Sequence, residues 1–256
     1  MAPILVLIFI IAGAVLFMRY KRPAKTIVLP EGYKNILTEH VAFYRNLDQA
    51  GKTRFEEKIK EFLSYIRIHG VKTEVTDLDR LLIASSGVIP IFGFPEWKYY
   101  NLADILLYPD SFNEIDFSTE EDADILGMVG SGTMQRMMIL SKPALHRGFA
   151  DTSLKENTGI HEFVHLLDKE DGDVDGLPEA LLEKQYTVPW LNLISDGIEE
   201  INKGESDFNV YGAKNKAEFF AVAAEYFFEQ PVLFQKNHTA LYDLMSKVFN
   251  QYPADK

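Results

Sequence analysis

At 256 residues with 47% hydrophobic side chains, the chain is long enough to bury a substantial core, and one domain is the simplest count once the N-terminus is set aside. A net charge of -12 argues against direct nucleic-acid binding, because phosphate contacts need clustered Lys and Arg. There is no cysteine, which excludes disulfides and thiolate metal ligands and leaves His and carboxylate to hold any metal.

Residues 4–18 (ILVLIFIIAGAVLFM) are uncharged and almost wholly apolar, and Arg19, Lys21, Arg22 and Lys25 follow at once. The run predicts a single N-terminal transmembrane helix. Its rise of about 22 Å falls short of a hydrocarbon core of about 30 Å, so flanking residues must join the span. A cleaved signal peptide is the rival, with Ala12-Gly13-Ala14 as the small-residue site, but the basic cluster follows the apolar run instead of preceding it. The basic flank puts the rest of the chain on the cytoplasmic side. The expectation is a membrane-anchored, single-pass protein, with an anchor and basic flank over residues 1–25 and one domain over residues 26–256.

From residue 34 to 68 the pattern is helical. Leu37, Val41, Tyr44 and Leu47 recur every three to four residues, as do Phe55, Ile59, Phe62, Leu63 and Ile66, predicting two amphipathic helices joined near Gly51. Residues 77–86 (DLDRLLIASS) predict a third helix capped at Asp77 and broken by Gly87 and Pro90. Residues 105–109 read as a short strand. Residues 127–141 (GMVGSGTMQRMMILS) read as a glycine-rich loop or hairpin running into a strand over 137–141. Gly130-Ser131-Gly132 lacks the Lys-Ser/Thr of a phosphate loop. An exposed strand edge there could instead pair with an extended peptide.

The densest chemistry lies in Gly159-Ile160-His161-Glu162-Phe163-Val164-His165-Leu166-Leu167-Asp168, with Asn157 or Thr158 as the N-cap. His-Glu-x-x-His on a helix puts two imidazoles one turn apart on one face, where both reach a single Zn²⁺. The Glu beside the first His then lies near the metal's open position, placed to take a proton from water. Neighbours that satisfy a core histidine explain one lone His. They do not explain two at this spacing in an otherwise apolar helix.

Asp171 to Gly176 begins like a calcium loop, but its twelfth position is Leu182, so an acidic helix-ending turn is the better reading. Residues 181–201 are mostly helical, and a polar loop over 202–209 leads to Val210-Tyr211-Gly212. A catalytic two-histidine site needs one more protein ligand, and the apolar helix over 216–230 (KAEFFAVAAEYFFEQ) is the best source. It carries Glu218 and Glu225 seven residues apart on one face. Glu218 could instead close a capping box with Asn215, and Glu225 could pair with a surface Lys, so spacing leaves the choice open. Glu225 and Asp168 are also candidates to orient the imidazoles. His40, His69, His146 and His238 show no ligand spacing.

From about residue 33 to 253 the chain resembles the Mlc titration factor A family of zinc peptidases, glutamate-ligand relatives of thermolysin. The residues that carry the likeness are Trp97 to Tyr108 with Pro109, the His161 to Asp168 motif, Asp175-Gly176-Leu177-Pro178, Tyr211-Gly212-Ala213, Ala217 to Val222, and Glu225 to Phe228. In that family's pattern the Glu seven residues after the Tyr-Gly-Ala tyrosine is the ligand, which implies Glu218, and the tyrosine, here Tyr211, donates a hydrogen bond in the transition state. The family's best-known members are soluble cytoplasmic proteins that bind a glucose-responsive repressor and show aminopeptidase-like activity. The apolar N-terminus of this chain departs from them.

The expected fold is therefore α+β and predominantly helical, a zincin-like metallopeptidase domain with a small sheet beside the His-Glu-x-x-His helix, preceded by the membrane helix. The expected function is zinc-dependent hydrolysis of a peptide or protein substrate, with His161, His165 and Glu218 on Zn²⁺, Glu162 as base then acid, and Tyr211 on the oxyanion. The alternative is a membrane-tethered regulatory protein that sequesters a transcriptional repressor and uses zinc structurally.

Overall fold

The computed structural model describes residues 27–113, 117–119, 123–150 and 153–255. Among these, the helices in chain order are α1 (Tyr33–His40), α2 (Ala42–Asn46), α3 (Gln49–Tyr65), α4 (Asp77–Ile91), α5 (Lys142–Ala150), α6 (Thr158–Asp168), α7 (Thr187–Lys203), α8 (Lys216–Glu229), α9 (Pro231–Asn237) and α10 (Thr239–Phe249). The strands β1 (Arg67–Gly70), β2 (Asp104–Tyr108), β3 (Gly127–Val129) and β4 (Met137–Ser141) form one sheet in the order β1-β2-β4-β3. β1, β2 and β4 are parallel and β3 is antiparallel to β4, so the fold is predominantly helical with a small mixed sheet.

The transmembrane helix expected over residues 4–18 falls outside the described residues. Among the described residues no helix is long and apolar enough to cross a membrane, and the membrane-anchored, single-pass localisation is corrected on that finding. The longest, α3 and α7, have 17 residues each and carry charged faces. The apolar α8 has 14 residues, a rise of about 21 Å against the roughly 30 Å that a span needs, and it is buried in the core.

Local chemistry explains where elements depart from the sequence pattern. The first helical run breaks at Val41 and Leu47, both extended, and not at Gly51. Asp48 restarts it by accepting the Gly51 N–H at 2.7 Å, so the glycine lies in the first turn of α3. Helix α4 is capped by Thr76 and not Asp77: Thr76 and Asp79 form a reciprocal capping box. It runs through Gly87, where a Cβ would stand 2.7 Å from Phe62 and 2.9 Å from Phe163, so the missing side chain makes room for aromatic packing. Pro90 falls in the last turn, whose carbonyls at Ile89 and Pro90 accept from Gln251.

That packing sets the back of α6. Phe163 lies 5.6 Å from Phe62 and 5.1 Å from Tyr99 between ring centroids, and Ile160, Val164 and Leu167 are fully buried beside it. Each such side chain contributes about 1.5–3 kcal/mol of burial free energy. With one face of α6 held by α4, the other is left for the polar trio to meet α8 and β3.

Candidate metal centre

The site begins at the start of α6. Asn157 accepts the Ile160 N–H on its side-chain oxygen at 3.1 Å, capping the helix and fixing which face carries His161 and His165. Helix α8 crosses that face. Its own cap, Asn215, accepts the Glu218 N–H at 2.9 Å. The cap bond expected of a capping box is thus present, but the Glu218 side chain goes elsewhere, to the two imidazoles.

Three atoms converge there. His161 Nε2 lies 3.0 Å from Glu218 Oε2 and 3.1 Å from His165 Nε2, and His165 Nε2 lies 3.3 Å from the same carboxylate oxygen. Two ligands each about 2.0–2.1 Å from a tetrahedral zinc stand about 3.3 Å apart, so the triangle has the size a shared ion requires. Its chemistry agrees, since two imidazole nitrogens and one carboxylate oxygen are a donor set that suits a catalytic zinc. His161, His165 and Glu218 are the cluster among the described residues whose donor atoms could hold a metal.

The electrostatics point the same way. Burial alone would raise the Glu218 carboxyl, but hydrogen bonds and charge from the two imidazoles hold it well below the usual carboxylate range. Burial alone would lower the His161 ring, yet Glu225, Glu218 and Glu162 hold it well above the usual imidazole value. Three carboxylates thus favour positive charge at one spot. A dication supplies it without protonating the ligands.

Of the three sequence readings of Glu225, a rival ligand, a partner for a surface Lys or an orienter of an imidazole, its contacts fit the third. With His161 Nε2 turned to the cluster, Nδ1–H donates to Glu225 Oε1 at 2.7 Å, and Glu225 Oε2 accepts the Asn157 backbone N–H. A carboxylate on the far nitrogen fixes the ring's tautomer and tilt. Asp168 behaves differently: its Oδ2 accepts the Gly176 N–H at 2.8 Å, closing the acidic turn after α6. Among the described residues it has no hydrogen bond to an imidazole. Burial pushes its carboxyl up to about 6.

Glu162 is 5% exposed and points to β3, and burial raises its carboxyl. Gly127, the first residue of β3, leaves the space it occupies: a Cβ there would stand 2.6 Å from both Glu162 Cγ and Oε1. Tyr211 sits on a single helical turn, Val210–Ala213, just ahead of α8, with its ring centroid 6.0 Å from that of His161. The phenol is 47% exposed, and its oxygen accepts from Lys214 Nζ at 3.3 Å. His161, Glu162, His165, Tyr211 and Glu218 are therefore gathered at one place. The other histidines are not: His69 meets Asp104, His146 meets Asp79 and His238 meets Asp207.

Sequence reasoning missed the role of β3 in detail. Leu126 O accepts from Ser141 N and Gly130 N donates to Met137 O, so in the antiparallel alternation the N–H and C=O groups of Gly127 and Val129 face the open side. β3 is the outer strand of the sheet beside Glu162. The signal was the Gly127-Met128-Val129 triplet itself, too short to carry a strand pattern.

The profile of a family described as glucose-regulated metallo-peptidase M90 matches residues 16–250. An uncharacterised protein of Synechocystis is 28% identical over 232 residues, covering 86% of this chain and 84% of that protein. The Mlc titration factor A of Klebsiella pneumoniae (strain 342) is 28% identical over 200 residues, 72% of each chain. That of Salmonella arizonae is 27% identical over 226 residues, 82% of this chain and 86% of its own. The likeness carried by the sequence motifs and the family match agree.

Proposed function

The chain belongs to the glucose-regulated metallo-peptidase M90 family, and on that premise we propose that residues 26–256 are one zinc-dependent metallopeptidase domain. His161, His165 and Glu218 hold the ion, Glu162 is general base and then general acid, and Tyr211 stabilises the oxyanion. The observation that carries this reading is the convergence of three ligand atoms beside the buried Glu162 carboxyl at the edge of β3. When bound, zinc supplies an attacking water of lowered pKa and polarises the scissile carbonyl.

The chain's own groups do the rest. Glu162, kept basic enough by burial to accept a proton, takes it from the attacking water and returns it to the leaving amine. Glu225 holds the His161 ring so that Nε2 faces the ion. The Tyr211 hydroxyl turns from Lys214 to donate to the developing oxyanion. An extended substrate lies along the open side of β3, pairing with Gly127 and Val129 as an added strand.

Metal analysis together with peptide hydrolysis tests the reading: one zinc per chain and turnover abolished by a chelator and restored by zinc are expected. Tyr211→Phe should lower kcat by about 10²–10³-fold with KM and zinc content near native, the usual cost of one oxyanion donor. Unchanged kcat removes Tyr211 from the mechanism. Gly127→Ala should cost about 10²-fold in kcat/KM while retaining zinc, because the new methyl displaces the Glu162 carboxylate from its working position. The aminopeptidase action implied by the family resemblance predicts that acetylating a peptide's N-terminus abolishes its hydrolysis; retained hydrolysis assigns endopeptidase action.

A regulatory reading has one observation in its favour, the name of the Klebsiella and Salmonella relatives as titration factors for Mlc. In that reading the chain binds a transcriptional repressor and hydrolysis is incidental. Capture of such a repressor by Glu162→Gln as well as by the native chain supports it, and failure of both to bind removes it.

A further inference from the structure

Helix α8 is apolar apart from its start and three acids, Glu218, Glu225 and Glu229, spaced seven and then four residues apart and so on one face. Two of them have been placed at the metal cluster and at the back of His161. The third lies just over three turns beyond Glu218, lining a small cavity with apolar side chains that include Phe43, Phe149, Ile160 and Phe228. A carboxyl there is costly unless it has work to do.

Its partner is Asn157. Glu229 Oε1 accepts from Asn157 Nδ2 at 2.8 Å, and the same amide nitrogen lies 3.2 Å from Gly148 O. Asn157 is fully buried, and every polar edge of it is committed. Its Oδ1 caps α6 through the Ile160 N–H, and its backbone N–H meets Glu225 Oε2, whose other oxygen holds His161 Nδ1. The amide can keep its oxygen on the helix only while its nitrogen finds acceptors on the opposite side.

We infer that Glu229 is a positioning residue for the metal centre, acting through Asn157 and Glu225 to set the orientation of the His161 ring. The acidic stripe of α8 then serves α6 at three heights: a ligand, a ring orienter, and a lock on the cap that places the orienter. Glu229 touches neither metal ligand nor substrate. This rests on the metal site proposed above.

The test measures metal binding and not turnover. Zn²⁺ affinity is taken from competition with a chelator, and the visible spectrum of the Co²⁺-loaded chain reports ligand geometry. Native chain and Glu218→Ala establish the site, the first binding one equivalent and the second losing it. Glu229→Met, which keeps volume and removes the acceptor, should weaken Zn²⁺ binding about 10–100-fold and alter the Co²⁺ spectrum, the range for lost ligand orienters. Glu229→Gln, which keeps an acceptor oxygen, should restore both to within a few-fold. Asn157→Ser keeps a cap oxygen but removes the amide, cutting the same link from the other side without adding charge, so it needs no change in α8. It should match Glu229→Met, and the double variant should lose no more than either single one. Thermal unfolding of the metal-free chains checks that each variant folds.

Native affinity and spectrum in Glu229→Met, equal losses in Glu229→Met and Glu229→Gln, or additive losses in the double variant overturn the inference alone. Absence of metal binding by the native chain overturns the site itself, and this inference with it.

Discussion

Glu162→Gln is expected to hold one zinc per chain and to lose peptide hydrolysis by about 10²–10⁴-fold, the range for removing a general acid–base. Glutamine has the shape of the residue it replaces, so the pocket beside Gly127 stays filled and the packing of α6 is untouched. Its amide nitrogen cannot accept a proton at neutral pH. The substitution therefore separates proton transfer from every other contribution of the site. Burial matters to the size of the effect: it raises the native carboxyl, bringing its proton affinity nearer to that of the water it must deprotonate. Zinc content by elemental analysis, with initial rates on a fluorogenic peptide, gives both quantities on one sample. Full activity in a zinc-loaded Glu162→Gln would remove this residue from catalysis and favour the regulatory reading.

How far the site could be read in advance depended on whether its geometry is local. Two histidines at a spacing of four must share a helix face, so the pairing of His161 with His165 was legible without a structure. That a cap lies at Asn157 or Thr158 was legible for the same reason, and it is Asn157, three residues from the N–H it meets. The choice between Glu218 and Glu225 was not. Both lie on the same face of α8, and only the height at which α6 crosses separates a ligand on Nε2 from an orienter on Nδ1. Family resemblance selected Glu218, and the cluster contains it.

The missed elements have similar causes. Around β1 the burial does alternate, with Ile66 and Ile68 buried and Arg67 and His69 exposed, but the run is only four residues long and Ile66 also completes the apolar rhythm of α3, which hides it. Its pairing with β2 is nonlocal: Arg67 sits opposite Asp104, 37 residues away, and donates to it twice. Gly51 and Gly87 looked like breaks because a glycine's cost inside a helix is visible in sequence, whereas the Phe62 and Phe163 rings that require Gly87 are not. The apolar N-terminal run shows the limit from the other side. Its composition suggested a span, but the described helices provide none.

Glu218→Ala is expected to lose zinc altogether at concentrations where Glu225→Gln still binds it, and the contrast between them separates a ligand from a residue that acts through one. In the native chain Glu218 Oε2 closes the triangle with His161 and His165, at 3.0 and 3.3 Å. Without it, two neutral imidazoles remain, with neither the third donor nor the charge that a dication needs. Glu225→Gln keeps an oxygen that accepts from His161 Nδ1 and the Asn157 N–H, and it gives up only the negative charge behind the ring. Its loss should stay within the roughly 10–100-fold typical of ligand orienters, and that of Glu218→Ala should exceed it. Stability adds a second reading of the same pair. The metal-free Glu218→Ala removes a carboxylate that both imidazoles hold far below its usual pKa, so the native chain gains stability from that carboxylate above the ordinary carboxyl range and loses it as pH falls through the depressed value. The metal-free variant should therefore unfold at a lower temperature than the native chain at neutral pH, with the gap closing in strong acid. Zinc retained by Glu218→Ala and lost by Glu225→Gln would reverse the assignment of the two residues, leaving His161 and His165 in place and moving the third ligand one face-repeat along α8.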